Sequence, residues 1–373
     1  MRSVNRTAVT LTLCAAAALL EGFDNQSMGV AAPRLLPEFG LSASQAGVLF
    51  SAATFGLFLG AAIGGRAADY LGRRCTLIVS LLVFGLCSLL TSIAPGTGTL
   101  LLARLLTGLG LGGAMPNFIA LASEAVRPER RLSVVSLVLA SLPFGGALAG
   151  FMALGARLGW GWRSIFVVGG CAPIIVAAIM IRALPESPGF RDRSEPDERA
   201  AGLPRVDGVL KALFGNARAL TTALLWTGFF FTQLVLLLML NWLPSLMVGL
   251  GFSRSQASVA SICFNLSGGL GAALLGQLHA GRYRRRWVVT TYGGMAAALI
   301  GVALVGKVFS LALLACALAG AFIVGAQLVL FALAPLYYER TTRGTGVGAA
   351  VAIGRLGSVV GPLFAATLLA SGG

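Results

Sequence analysis

Eleven long apolar runs make up most of this chain, and they constrain its fold more than any other feature. Of the 373 residues, 57% are hydrophobic and only 11% are charged, which is too little charge for the surface of a water-soluble domain. Each run is about 20 residues or longer, the length that an α-helix needs to cross a bilayer. We therefore predict an all-α membrane protein with spans near residues 8–33, 44–65, 75–94, 99–124, 132–156, 162–184, 219–248, 255–279, 287–306, 309–335 and 345–371.

The basic residues predict the orientation of these spans. A net charge of +15 would suggest nucleic-acid binding in a soluble protein. Here the basic clusters, among them Arg73–Arg74, Arg127–Arg131 and Arg284–Arg286, fall on alternate connections between the spans. Such a bias places those connections on the cytoplasmic side. We predict a bacterial-type inner (plasma) membrane protein with a cytoplasmic N-terminus and no nucleic-acid partner.

One polar stretch interrupts the apolar pattern and predicts how the chain is organised. Residues 185–218 are rich in charge, proline and glycine, and they separate six spans from five. We expect an N-terminal half of six helices (1–184), a cytoplasmic loop (185–218) and a C-terminal half of five helices (219–373). Two six-helix halves would need a twelfth helix, so we expect the second half to be shortened.

Two acids lie inside the first apolar run. Glu21 and Asp24 are three residues apart, so they share a helix face. Ionised carboxylates in hydrocarbon are costly and normally line a cavity, pair with a base or bind protons. Asp24 is nine residues before Pro33 and Arg104 is five residues after Thr99, which puts them roughly 13 and 8 Å deep. We expect them to meet, either as a proton-sensitive contact or as a permanent structural ion pair.

Glycines follow Arg104 in the fourth run. Gly108, Gly110 and Gly113 fit the spacing of a dinucleotide fingerprint, but that motif needs a preceding strand and a polar turn. In a membrane helix, glycines instead allow the backbone of a neighbouring helix to approach closely.

A second buried charge predicts a binding site. Arg355 lies about eleven residues into the last run, and no acid of the second half has comparable depth. An anion should therefore neutralise the Arg355 guanidinium, and a substrate carboxylate matches its planar fork. The alternative partners of Arg355 are backbone carbonyls or Glu21. The other candidate substrate-binding residues are polar or aromatic side chains of the spans: Asn117, Gln233, Asn241, Gln327 and Phe331.

The connection between the second and third spans is a candidate gating loop. Glycines permit a short turn between antiparallel helices, and an acid flanked by arginines can cap a helix and hold one gating state. The alternative is that its arginines only anchor the cytoplasmic side. The residues of this loop are Gly65, Asp69, Gly72, Arg73 and Arg74.

These motifs together resemble a known family. Glu21-Gly22-Phe23-Asp24 is similar to the first-helix motif of the aromatic acid:H+ symporter family within the major facilitator superfamily. Gly65–Arg74 resembles the loop signature of that superfamily, with Tyr70 in place of the usual arginine, and Arg104 with its glycines resembles the fourth-helix motif. The resemblance implies import, with a proton, of an aromatic carboxylate similar to 3-(3-hydroxyphenyl)propionate. It assigns proton coupling to Glu21, Asp24, Arg104 and Glu124, and the substrate to Arg355.

Two other functions remain open at this stage. A proton-coupled drug exporter has similar features around Asp24 and Arg104, although a deep Arg355 argues against cationic drugs. A shortened, non-transporting membrane protein is the other. An enzyme is not expected, because no set of nucleophile, base and orienting group and no metal-ligand cluster is recognisable. We expect a monomer without cofactor or metal, whose partners are a small aromatic acid, H+ and the lipid bilayer.

Overall fold

The computed structural model describes residues 2–155, 161–186, 214, 219–279, 284–304, 306–334, 337–338 and 343–370, and within these ranges all regular structure is helical. The α-helices are α1 (Arg2–Glu38), α2 (Ala43–Leu71), α3 (Arg73–Ser92), α4 (Thr97–Glu124), α5 (Arg131–Leu139), α6 (Ser141–Gly155), α7 (Arg163–Ala183), α8 (Ala219–Gly249), α9 (Arg254–His279), α10 (Arg284–Leu304), α11 (Phe309–Leu333) and α12 (Arg343–Ala370). Of the predicted loop 185–218, residues 187–213 and 215–218 lie outside the described residues, as do 371–373.

Eleven spans in the described residues are long and apolar enough to cross a membrane, which confirms the predicted all-α membrane fold. The fifth span consists of two helices, α5 and α6, which meet at Ala140. Pro143 explains the break, because it has no N–H to donate to the carbonyl of Leu139.

The first helix is longer than the sequence suggested. We expected it to end near Pro33, but α1 continues through Pro33 and Pro37 to Glu38. Leu35 is fully buried in the core between the two prolines. The Glu38 carboxylate accepts hydrogen bonds from Trp162 Nε1 (2.5 Å) and Arg163 Nη1 (2.6 Å). Tertiary packing therefore outweighs the loss of two backbone donors.

Small residues allow the closest helix contacts. A Cβ atom on Gly108 of α4 would overlap the backbone oxygen of Ala53, and one on Gly112 would overlap that of Leu57. Both partners lie on α2, so the glycines of α4 are a surface for a neighbouring helix, as the sequence predicted.

Helices from before and after the predicted loop contact each other along three main pairs: α2 with α12, α6 with α9, and α1 with α8. Buried polar side chains connect them. Gln26 Nε2 donates to the Leu240 carbonyl at 3.0 Å, and Asn265 Nδ2 donates to Gln26 Oε1 at 2.9 Å. Within the second segment, Trp242 Nε1 of α8 donates to the Pro362 carbonyl of α12 at 3.2 Å. These bonds satisfy polar groups that the helix contacts remove from solvent.

Candidate transport site

Asp24 and Arg104 form a two-bonded ion pair in the interior. Arg104 Nη1 donates to Asp24 Oδ1 at 2.9 Å and Nη2 donates to Oδ2 at 2.8 Å. Asp24 is 1% exposed and Arg104 is 2% exposed. The Arg104 guanidinium carbon also lies 5.6 Å from the centroid of the Phe166 ring. The contact predicted from depth is thus present, in the planar fork geometry that makes such pairs strong.

Glu21 lies one turn before Asp24 and has different surroundings. It is 2% exposed, and its Oε2 atom has no hydrogen-bond partner among the described residues. Its electrostatic neighbours are Arg355 and Asp24. The two acids of α1 therefore differ. Both carboxylate oxygens of Asp24 accept hydrogen bonds, whereas one carboxylate oxygen of Glu21 accepts none in the described residues.

Arg355 of α12 reaches towards α4. Its Nη2 donates to the Met115 sulfur at 3.0 Å, and its electrostatic partner is Glu21. The described residues place no carboxylate oxygen within ion-pair distance of it. A thioether is a weak acceptor, so this contact leaves the guanidinium ready for a stronger anion.

Met115 was not among the residues predicted from sequence. A signal for it exists, because it follows Arg104 by eleven residues, three helical turns, and so lies on nearly the same face of α4. That face therefore carries Arg104, which binds Asp24, and Met115, which contacts Arg355.

The predicted residues of α8 and α11 lie beside the helix that carries Arg355. Phe229 and Phe331 meet edge to face with ring centroids 5.4 Å apart. A Cβ on Gly354 would lie 3.2 Å from Gln233 Cγ and 3.4 Å from Phe229 Cβ. The Oε1 atoms of Gln233 and Gln327 are buried without a hydrogen-bond partner in the described part of the chain. Gln233 and Phe229 of α8 thus pack against Gly354, the residue that precedes Arg355 in α12, and Phe331 of α11 contacts Phe229.

The two predicted asparagines use their donors within the helices. Asn117 Nδ2 donates to the Gly113 carbonyl at 2.8 Å and to the Gly64 carbonyl at 3.5 Å. Asn241 Nδ2 donates to the Leu237 carbonyl at 2.8 Å. Both side chains are buried, and their contact with a substrate stays a prediction.

The candidate gating loop lies at the far end of α4 from Arg104. Gly72 connects α2 to α3 with φ of 88°, which favours glycine. Arg73 forms an ion pair with Glu124, and the Arg74 backbone N–H donates to Glu186 Oε1 at 3.1 Å. Glu124 is about 30 Å along α4 from Arg104, so it joins this loop rather than the buried acids.

Gly65 and Asp69 lie on the α2 side of the same loop. A Cβ on Gly65 would meet nothing within 4 Å, so packing alone does not require glycine there. Asp69 is exposed near the end of α2. Their gating role stays a prediction.

A cavity of about 420 Å³ lies elsewhere, between α2, α4 and α12. Its walls include Val48, Phe55, Leu105 and Leu363, and no titratable side chain lines it. Its chemistry suits a hydrocarbon chain rather than a charged substrate, so we do not assign it to transport.

Comparison with known proteins identifies the family. Residues 14–362 match the sequence model described as Major Facilitator Superfamily. The chain belongs to this superfamily. It is 43% identical to the 3-(3-hydroxy-phenyl)propionate transporter of Escherichia coli strain K12, over 99% of this chain and 89% of that protein. It is 34% identical to the 4-hydroxybenzoate transporter PcaK of Pseudomonas putida, over 96% of this chain and 86% of that one.

A solved structure shares the fold. A bacterial homologue of the human lysosomal transporter Spinster, in an inward-facing and unoccupied conformation, superimposes with a TM-score of 0.81 at 20% identity, over 98% of this chain and 83% of that one. This member of the major facilitator superfamily is accordingly a multi-pass membrane transporter and not an enzyme.

Proposed function

We propose that this transporter imports an aromatic carboxylate similar to 3-(3-hydroxyphenyl)propionate together with a proton. The observation that carries the proposal is the group formed by the buried Glu21 and the partly buried Arg355 and Met115. Glu21 has an oxygen without a hydrogen bond in the described residues and is the electrostatic partner of Arg355, whose side chain donates to a thioether there. The names of the two relatives described above support an aromatic acid as the substrate.

Arg355 binds the substrate carboxylate in this proposal. A guanidinium presents paired N–H donors that match the two oxygens of a carboxylate, and charge-assisted bonds of this kind are about twice as strong as neutral ones. The Met115 sulfur is a weak acceptor and is readily exchanged for such an anion.

Glu21 carries the proton. Both oxygens of Asp24 accept from Arg104, whereas Glu21 Oε2 is unused. An ionised Glu21 competes with the substrate anion for Arg355, and a protonated Glu21 does not. Binding of proton and substrate therefore favour each other, and this coupling is reciprocal by thermodynamic linkage. The Asp24–Arg104 pair holds α1 against α4 and is the second candidate for proton coupling.

The proposal also includes the architecture of alternating access. Residues 1–184 and 219–373 act as two halves joined by a cytoplasmic loop at 185–218. The protein is a monomer in the inner membrane, with its N-terminus on the cytoplasmic side. The substrate site lies between the halves, which rock around it. The loop at Gly65, Asp69, Gly72, Arg73 and Arg74, with Glu124, closes the cytoplasmic side in one of the two states.

Uptake by purified protein in liposomes tests the substrate. We expect saturable uptake of radiolabelled 3-(3-hydroxyphenyl)propionate and little uptake of its neutral amide, which lacks the anion for Arg355. Equal uptake of the amide would contradict the role of Arg355. Transport of a cationic dye without uptake of the acid would favour the drug exporter, and no protein-dependent flux of either would favour a non-transporting protein.

A further inference from the structure

The contacts between α8 and α11 place two glutamines opposite each other. The hydroxyls of Thr222, near the start of α8, and Tyr338, which follows the end of α11, are 3.2 Å apart. Further along α8, Phe229 meets Phe331 of α11 edge to face. Because the later residue of α8 contacts the earlier residue of the other segment, the two segments run antiparallel. The next turn, four residues on, brings Gln233 opposite Gln327.

Both glutamines are short of hydrogen-bond donors. Gln233 is 7% exposed, and the Oε1 atoms of both side chains are buried without a partner in the described ranges. Nearly all buried polar atoms in proteins are hydrogen-bonded, so two such oxygens in facing positions are unusual. The missing group is a donor, and no side chain of the described residues supplies it.

The position of Gln233 connects this pair to the carboxylate site. Its Cγ is 3.2 Å from where a Cβ on Gly354 would lie, and Gly354 directly precedes Arg355. The edge-to-face pair of Phe229 and Phe331 lies one turn away. A molecule whose carboxylate is at Arg355 can thus reach the amides with the far side of its ring, beside two aromatic side chains that suit that ring.

We propose that Gln233 and Gln327 form a subsite for a hydroxyl group on the substrate ring, and that they select hydroxylated aromatic acids over their unsubstituted analogues. The ring O–H donates to the amide oxygen of one glutamine and so supplies one of the two missing donors, and the ring oxygen accepts from the amide N–H of the other glutamine. This inference rests on the proposed function, and it adds a determinant of specificity at the end of the substrate opposite the carboxylate.

Discrimination arises because an analogue without the hydroxyl leaves the amides unpaired. A site that hydrogen-bonds a substrate hydroxyl rejects the analogue that lacks it, since the buried polar groups of the site then lose their partner. We expect the unmodified transporter to prefer 3-(3-hydroxyphenyl)propionate over 3-phenylpropionate by about five- to a hundredfold in apparent KM.

The test compares these two acids in liposomes containing the unmodified chain, Gln233→Met or Gln327→Met. Methionine keeps the unbranched shape and removes the amide. We expect each variant to bring the preference close to one by weakening transport of the hydroxylated acid more than transport of 3-phenylpropionate. Thr227→Val is the matched control: it removes an exposed polar group from the same helix, and the preference should stay as in the unmodified chain.

The outcomes separate this inference from the proposed function. If the unmodified chain carries both acids with equal apparent KM, or if the methionine variants keep its preference, the subsite is wrong while aromatic-acid transport stands. If the unmodified chain carries neither acid, both proposals fall. Equal apparent KM values for the two acids in the unmodified chain would overturn the subsite even when a variant fails to fold.

Discussion

At the scale of single residues, the two carboxylates of α1 differ because of what surrounds them. Arg104 uses both oxygens of Asp24, and in a pair this buried the loss of either partner leaves an uncompensated charge, which commonly costs about 3–5 kcal/mol. Glu21 Oε2 has no hydrogen-bond partner in the described part of the chain, and the electrostatic neighbour of Glu21, Arg355, donates there to the sulfur of Met115. A residue that changes its protonation during a cycle needs this looser environment.

Replacing Glu21 separates proton coupling from substrate movement. In Glu21→Gln the side chain keeps its shape and can no longer exchange a proton. We expect accumulation driven by a pH gradient to disappear, while exchange of internal for external substrate continues at a comparable rate. Counterflow and gradient-driven uptake in the same liposomes measure the two. Undiminished accumulation would remove Glu21 from the coupling, and Asp24→Asn would then be the variant to compare.

Arg355 should set the affinity for the acid. Arg355→Lys keeps the positive charge and loses the fork, so we expect apparent affinity to fall about ten- to a hundredfold, as for the loss of one charged hydrogen bond of about 1.5–3 kcal/mol. Uptake as a function of substrate concentration measures this. Arg163→Lys, in a largely exposed ion pair with Glu38, is the control and should leave the apparent affinity unchanged. An unaltered KM in Arg355→Lys would contradict carboxylate binding there.

Part of this site could be predicted from the sequence, and the rest could not for a physical reason. The depths of Asp24 and Arg104 can be counted from the ends of their helices, so their meeting was predictable. The contact of Arg355 with Met115 depends on how α12 approaches α4, and a thioether has no charge that demands a partner. The proposed facing of Gln233 and Gln327 depends likewise on the register of α8 against α11, which the contact of Phe229 with Phe331 indicates.

At the scale of helices, the sequence predicted close packing between helices well and helix ends near prolines less well. The glycines of α4 predicted a close neighbour, and α2 occupies that position. Helix ends were less predictable, because Pro33 and Pro37 stay within α1 whereas Pro143 follows a break between α5 and α6. The difference lies in tertiary contacts around Leu35 and Glu38, which composition alone does not reveal.

The contact of α4 with α2 gives a stability prediction. In Gly108→Ala the new methyl group overlaps the Ala53 carbonyl, so the helices must separate, and we expect a loss of about 1–3 kcal/mol or more. Thermal unfolding of the detergent-solubilised protein measures the effect. Gly98→Ala in the same helix is the matched control, because a Cβ there meets nothing within 4 Å. Equal unfolding temperatures for both variants would contradict the role assigned to Gly108.

At the scale of the whole molecule, the contacts between the proposed halves are what transport must break. Gln26 of α1 bonds to both α8 and α9. The bonds made by Gln26 cross between residues 1–184 and 219–373. If the two segments rock against each other, these bonds belong to one state only.

A cross-link between the proposed halves should stop transport. A Cβ on Gly269 of α9 would lie 3.4 Å from Pro143 Cβ of α6, close to the separation found in disulfides. In a background without native cysteines, we expect Pro143→Cys with Gly269→Cys to lose uptake on oxidation and to regain it on reduction. The control pair is Gly301→Cys with Ala315→Cys, in α10 and α11 of one half. A Cβ on Gly301 would lie 3.6 Å from Ala315 Cβ, and oxidation of this pair should have no effect on uptake. Full uptake through an oxidised α6–α9 link would argue against rocking.

Proton movement during uptake tests the central claim most directly. Liposomes containing the transporter, with no imposed pH gradient and a pH electrode in the weakly buffered medium, receive 3-(3-hydroxyphenyl)propionate, and protein-free liposomes correct for passive entry of the protonated acid. Proton symport predicts that the medium becomes more alkaline in step with protein-dependent uptake, and that Glu21→Gln abolishes this change. Protein-dependent entry of the acid with no alkaline shift beyond that of the protein-free liposomes would contradict it.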